Sequence, residues 1–159
     1  MDIRLITDEA DAVLSIFQKI KARESMAAED WKRLFSTEGY VRLKKRGESM
    51  KRPFEDAAFR DFVLSAELRE RTDKLAEALK QWKRADMTSA AGRALAYLPA
   101  GAAIRVKVYP VIKPKTNSFV FELQTDPAIS LNQRHQNRIN NPSPAAGASR
   151  FTQARAPLT

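Results

Sequence analysis

Ile104-Arg105-Val106-Lys107-Val108-Tyr109-Pro110-Val111 is the stretch on which the fold turns. Upstream of it, apolar residues recur at helical spacing; from Ile104 onward they recur at every second position. Ile104, Val106 and Val108 alternate with Arg105, Lys107 and Tyr109, which predicts a half-buried strand. Pro110 and Pro114 lack an N–H, so they place this strand at a sheet edge or bend it there. Further on, Phe119, Phe121 and Leu123 alternate with Val120, Glu122 and Gln124, giving a second strand, with Thr116-Asn117-Ser118 as the turn between the two. Residues 128–131 have the composition to begin a third strand.

The chain before this stretch reads as helix. Thr7 or Asp8 is placed to cap a first helix on which Val13, Ile16, Phe17 and Ile20 form one apolar face. Residues 27–35 carry Trp31, Leu34 and Phe35, and Ser36-Thr37-Glu38-Gly39 is a junction to a short helix with Tyr40, Val41 and Leu43. Gly47 and Pro53 read as breaks. Pro53 suits the first turn of a helix whose apolar face is Phe54, Ala57, Ala58, Phe62 and Val63. Leu68, Thr72, Leu75, Leu79 and Trp82 predict one continuous core helix, and residues 90–98 a last one that stops at Pro99-Ala100-Gly101. That is about five helices between positions 8 and 98.

Composition narrows the class. The chain has 159 residues, enough to bury a core, and no cysteine, which removes disulfides, thiol catalysis and cysteine-type zinc sites. No apolar run is long enough for a membrane span, so no membrane partner is expected. Met1-Asp2-Ile3-Arg4-Leu5-Ile6-Thr7-Asp8-Glu9 has none of the features of a signal peptide, which predicts a cytoplasmic protein, with a leader upstream of the chosen start left open. Net charge is +9, unevenly spread: residues 1–131 hold 24 of the 28 cations and all 19 acids, a net +5, whereas residues 132–159 hold four arginines and no acid. The body uses Lys and Arg equally, 12 and 12, while the tail has no Lys and little that could form a core. It is expected to be disordered, or to be translated out of frame.

Tyr97-Leu98-Pro99, Val108-Tyr109-Pro110-Val111-Ile112, Lys113-Pro114-Lys115-Thr116-Asn117-Ser118-Phe119-Val120-Phe121 and Asp126-Pro127-Ala128-Ile129 together resemble the text that precedes the metal-binding helix in a family of bacterial zinc-dependent peptidases of uncharacterised substrate. Trp31, Leu34-Phe35 and Gly39-Tyr40 also look like the helical N-terminal part of that family, so the resemblance spans most of residues 27–131. It implies a hydrolase whose zinc is held by a His-Glu-x-x-His helix, with the glutamate activating a water. It further implies that one strand before that helix is an edge to which a peptide substrate adds. On this reading Tyr109, Asn117, Ser118, Phe119 and Phe121 are candidates for the substrate strand, against a plain role in strand packing and a hairpin turn.

The metal motif itself is missing. The one histidine, His135, has no Glu after it and no second His, so no catalytic, cofactor or metal residue is assigned, and zinc is expected only in a full-length relative. Ser49, Ser65 and Ser89 have no histidine in the body to activate them. Asp2, Asp8, Glu9 and Asp11 are accounted for by the helix dipole and by solubility. Arg42, Lys44, Lys45, Arg46, Lys51 and Arg52 form the densest basic cluster and could hold phosphates. The sequence thus predicts an α+β protein: a helical N-terminal subdomain over 8–98, a two- or three-stranded β segment over 104–131, and a disordered tail. Residues 1–131 would form a single, incomplete domain. Its expected function is that of a truncated or frameshifted relative of a zinc peptidase, inactive in this chain, or completed by a separately encoded piece. The alternative is a small helical binding module whose basic face takes nucleic acid or another polyanion.

Overall fold

A computed structural model describes residues 1–114, 118–123 and 126–132. The fold is α+β. A short strand, β1 (Asp2–Leu5), precedes seven helices: α1 (Asp8–Lys21), α2 (Ala28–Phe35), α3 (Glu38–Ser49), α4 (Asp56–Leu64), α5 (Ala66–Glu70), α6 (Thr72–Arg84) and α7 (Met87–Leu95). Three strands follow, β2 (Arg105–Val111), β3 (Phe119–Leu123) and β4 (Asp126–Asn132). The expected three-stranded segment is therefore present, and β1 joins it to make a four-stranded sheet in the order β1-β2-β4-β3. The β1–β2 and β2–β4 pairs are parallel, and β3 runs antiparallel to β4.

β2 is thus an interior strand, not an edge, despite Pro110. The reason lies in the register. The carbonyls of Ile104 and Val108 accept from Asp2 and Ile6 N–H, so alternate residues of β2 direct their backbone groups toward β1. Pro110 continues that series, but β1 ends opposite Val108. No ladder bond from position 110 is therefore required on that side. Burial is also heavier than alternation predicts: Val108, Tyr109, Pro110 and Val111 are all buried, as befits a parallel strand covered on both faces. Tyr109 and Val111 pack with Leu43 of α3, while Ile112 joins the helical core.

That core centres on α1, whose Ala10, Val13, Ile16 and Phe17 are buried against Trp31, Leu34, Phe59, Val63 and Leu68. An aromatic chain runs through it: Tyr40 lies 5.0 Å from both Phe35 and Phe59, the latter edge-on. The expected stripe of Leu68, Leu75 and Leu79 is buried, but the helix carrying it is broken at Arg71. Ser65 caps α5 through its hydroxyl, which accepts from Leu68 N–H, and α6 begins afresh at Thr72. The last helix, expected over 90–98, is α7 at Met87–Leu95 and buries no residue, and with the break at Arg71 the helices number seven where about five were expected. Pro53 lies before α4 rather than within its first turn, and the buried face of α4 is Phe59 and Val63, with Ala57 and Ala58 exposed.

Two helices end in the same way. In α1 Arg23 N–H reaches Ile20 and Glu24 N–H reaches Lys19; in α3 Lys51 N–H reaches Glu48 and Arg52 N–H reaches Gly47. Both are Schellman turns, with Arg23 (φ 57°) and Lys51 (φ 55°) in the left-handed position that glycine usually fills. Gly47 is therefore part of α3, not a break. A Cβ there would meet the Arg52 carbonyl oxygen at 2.9 Å, so glycine allows the chain to fold back against the last turn.

Candidate functional site

The starts of α1 and α3 meet the end of β2, and three acids organise the junction. Thr7 occupies the cap position of α1 without a side-chain capping bond, and in the first turn Asp8 Oδ1 accepts from Glu9 N–H at 2.7 Å. The same carboxylate accepts from Glu38 N–H at 2.6 Å and Gly39 N–H at 3.2 Å, placing a negative charge on the N-terminus of α3 as well. Glu9 follows it into the interior. It is 1% exposed, and its Oε2 accepts from Ile112 N–H at 2.9 Å, while Oε1 has no hydrogen-bond partner among the described residues. Burial pushes the Glu9 carboxyl up to about 8, against the opposing bond from Ile112 and with a further push from Asp8.

Glu38 completes the junction. It accepts from Tyr109 O–H at 2.6 Å and from Lys107 Nζ at 2.9 Å, with Arg42 beside it at 3.7 Å. Partial burial works against ionisation, yet the bonds from Tyr109 and Lys107 hold its carboxyl below the usual carboxylate range. Arg42 also stacks over the Tyr109 ring at 5.1 Å. Tyr109 is thus a buried structural residue that ties β2 to α3, not part of an accessible substrate strand.

The remaining candidates separate. Ser118 is exposed just before β3, Phe119 and Phe121 lie on β3 opposite Ser130 and Ala128, and Asn117 lies outside the described residues, as do Thr116, His135 and the tail. β3 and β1 are the two outer strands of the sheet among the described residues. The basic cluster is divided as well. Arg42 is buried in the Glu38 junction, and Lys44 pairs at 2.7 Å with Asp56, which also accepts from Tyr40 O–H. Those two bonds hold Asp56 below its ordinary range. Arg46 and Arg52 line a cavity of about 420 Å³ that also reaches Lys113. The cavity is a feature that sequence reading missed; Gly47 and the left-handed turn after it are its only local signal. The serines have structural partners: Ser65 caps α5, Ser49 donates to the Arg46 carbonyl, and Ser89 N–H is capped by Asp86.

Among the described residues no group of three or more His, Cys, Asp or Glu could hold a metal ion. None of the described helices is long and apolar enough to cross a membrane. No protein-family model, curated protein or solved structure matches the chain.

Proposed function

We propose that this chain binds an extended peptide by backbone pairing to β3, on a sheet of the zinc-peptidase kind, and does not itself cleave the peptide. The observation that carries the reading is the position of β3. It pairs with β4 on one side, and no strand pairs with its other side among the described residues. Residues 118–121, part of the text that resembles the peptidases, lie on or just before this strand. An edge strand presents a row of backbone donors and acceptors to an incoming chain. The donor set does not fit a peptidase zinc: the sequence offers one histidine and no cysteine, so no step through a metal is derived. The division of the basic cluster favours this reading over a phosphate-binding face, because Arg42 is buried against Glu38 and Lys44 is paired with Asp56.

The test is a titration of the chain with a fluorescein-labelled hexapeptide of alternating Val and Thr, alongside the same peptide N-methylated at alternate amides. The plain peptide should bind, and the version methylated on its pairing edge should not. Equal binding of both would refute pairing at the edge. Casein cleavage by the zinc-supplemented chain, abolished by a chelator, would refute the inert reading.

A further inference from the structure

The cavity beside α3 is built deliberately by the local sequence. Lys51 in the left-handed turn reverses the chain after α3, and Gly47 lets residues 52–54 lie against the helix they have just left. Phe54 then stands across from α4, stacked on Phe59 at 6.1 Å. The resulting space, about 420 Å³, lies between the end of α3, the returning segment, α4 and the residues that follow β2. This volume falls within the range of about 300–1,000 Å³ typical of small-molecule sites. It also lies beyond the carboxyl end of β2, whose neighbours β1 and β4 run parallel to it. Sheets of parallel strands place ligands at that end.

The lining is of two kinds. Leu43, Met50, Phe54 and Phe59 give an apolar surface, and Arg46, Arg52 and Lys113 give positive charge; no acid lines the cavity among the described residues. Lys113 is 6% exposed, so one of these cations belongs to the interior, while Arg52 is on the surface. An apolar body would be taken up by the first set. A planar anion would be met by the guanidinium forks of the second.

From this arrangement we propose that the cavity is a binding site for a small carboxylic acid with an apolar body, its chain against Leu43, Phe54 and Phe59 and its carboxylate at Arg46 and Arg52. The site is separate from β3 and does not depend on the peptide-binding reading.

Isothermal titration of the full chain with decanoate, below its micelle-forming concentration, tests this. Decanol and acetate serve as the uncharged and chainless controls. Decanoate should bind one to one with a Kd below about 100 μM, and both controls at least about tenfold more weakly. Arg52→Ser, at an exposed position, should weaken decanoate about tenfold and leave decanol unchanged. Ala58→Trp, from an exposed position on the cavity wall, should abolish binding while the thermal midpoint stays at the parent value. If Ala58→Trp fails to fold, Arg52→Ser decides. Decanol binding as tightly as decanoate, no effect of Arg52→Ser, or no decanoate binding at about 1 mM would each overturn the proposal.

Discussion

Replacing Glu9 by Gln tests the most consequential buried group in the protein. Glu9 is 1% exposed, and burial raises its carboxyl from 4.5 to about 8. Between those values the folded chain keeps a proton that the unfolded chain releases. The unfolded state therefore binds fewer protons, and stability falls as pH rises through that interval. At about 1.4 kcal/mol per pH unit, the full interval amounts to about 5 kcal/mol, of which about 3 kcal/mol is already lost at pH 7. Against a typical domain stability of about 5–15 kcal/mol this is a large fraction. Glutamine has nearly the same volume, keeps an oxygen for Ile112 N–H, and does not titrate. Its amide introduces a fixed cost of about 1–3 kcal/mol if the NH₂ finds no acceptor, but that cost does not change with pH. Urea unfolding followed by tryptophan fluorescence between pH 4 and 9 should show the variant gaining on the parent by about 5 kcal/mol across the series, and overtaking it between about pH 5 and about pH 7. Parallel stability curves for the two proteins would refute the reasoning. They would mean that Glu9 ionises in the fold as it does in water.

Two further substitutions probe the construction of the junction and the turn. Tyr109→Phe removes the hydroxyl that Glu38 accepts at 2.6 Å and leaves the buried ring in place; it should cost about 1.5–3 kcal/mol in urea melts and leave peptide affinity unchanged. A drop in affinity at constant stability would return Tyr109 to the binding site. Lys51→Gly relieves a left-handed residue (φ 55°) and should raise stability by about 1 kcal/mol, read as an upward shift in the urea midpoint.

The switch of period at Ile104 located the strands of the second half correctly, because alternation over several residues leaves few other readings. Residues 128–131, where alternation was too short to be decisive, became β4. β1 escaped notice because Asp2-Ile3-Arg4-Leu5 is four residues long and half charged, and only pairing with residues more than a hundred positions away makes it a strand. Pro110 misled for a related reason. A proline forbids a ladder bond, but whether a bond is due at that position depends on where the neighbouring strand stops. The continuous stripe from Leu68 to Trp82 concealed the break at Arg71, since α6 restarts at Thr72 without disturbing the burial of Leu68, Leu75 and Leu79. The acids of the first turn of α1 were legible as dipole partners, but not as Asp8 capping a different helix and Glu9 entering the core. Those roles depend on Gly39, where a Cβ would approach the Glu9 Cβ to 2.8 Å. The cavity was illegible because its walls come from four separate segments.

The pairing of Asp2 with Arg105 has a consequence for synthesis. The first strand leaves the ribosome long before its partner exists. At about 5–20 residues per second it waits on the order of 5–20 seconds, while seven helices are made behind it. A bare strand edge exposed for that long invites pairing with other nascent chains. Its brevity, and the Arg4 side chain hydrogen-bonded to Asp2 at 3.2 Å, make it a poor template in the interval. β1 thus waits for β2, and its charges protect it until the two can pair.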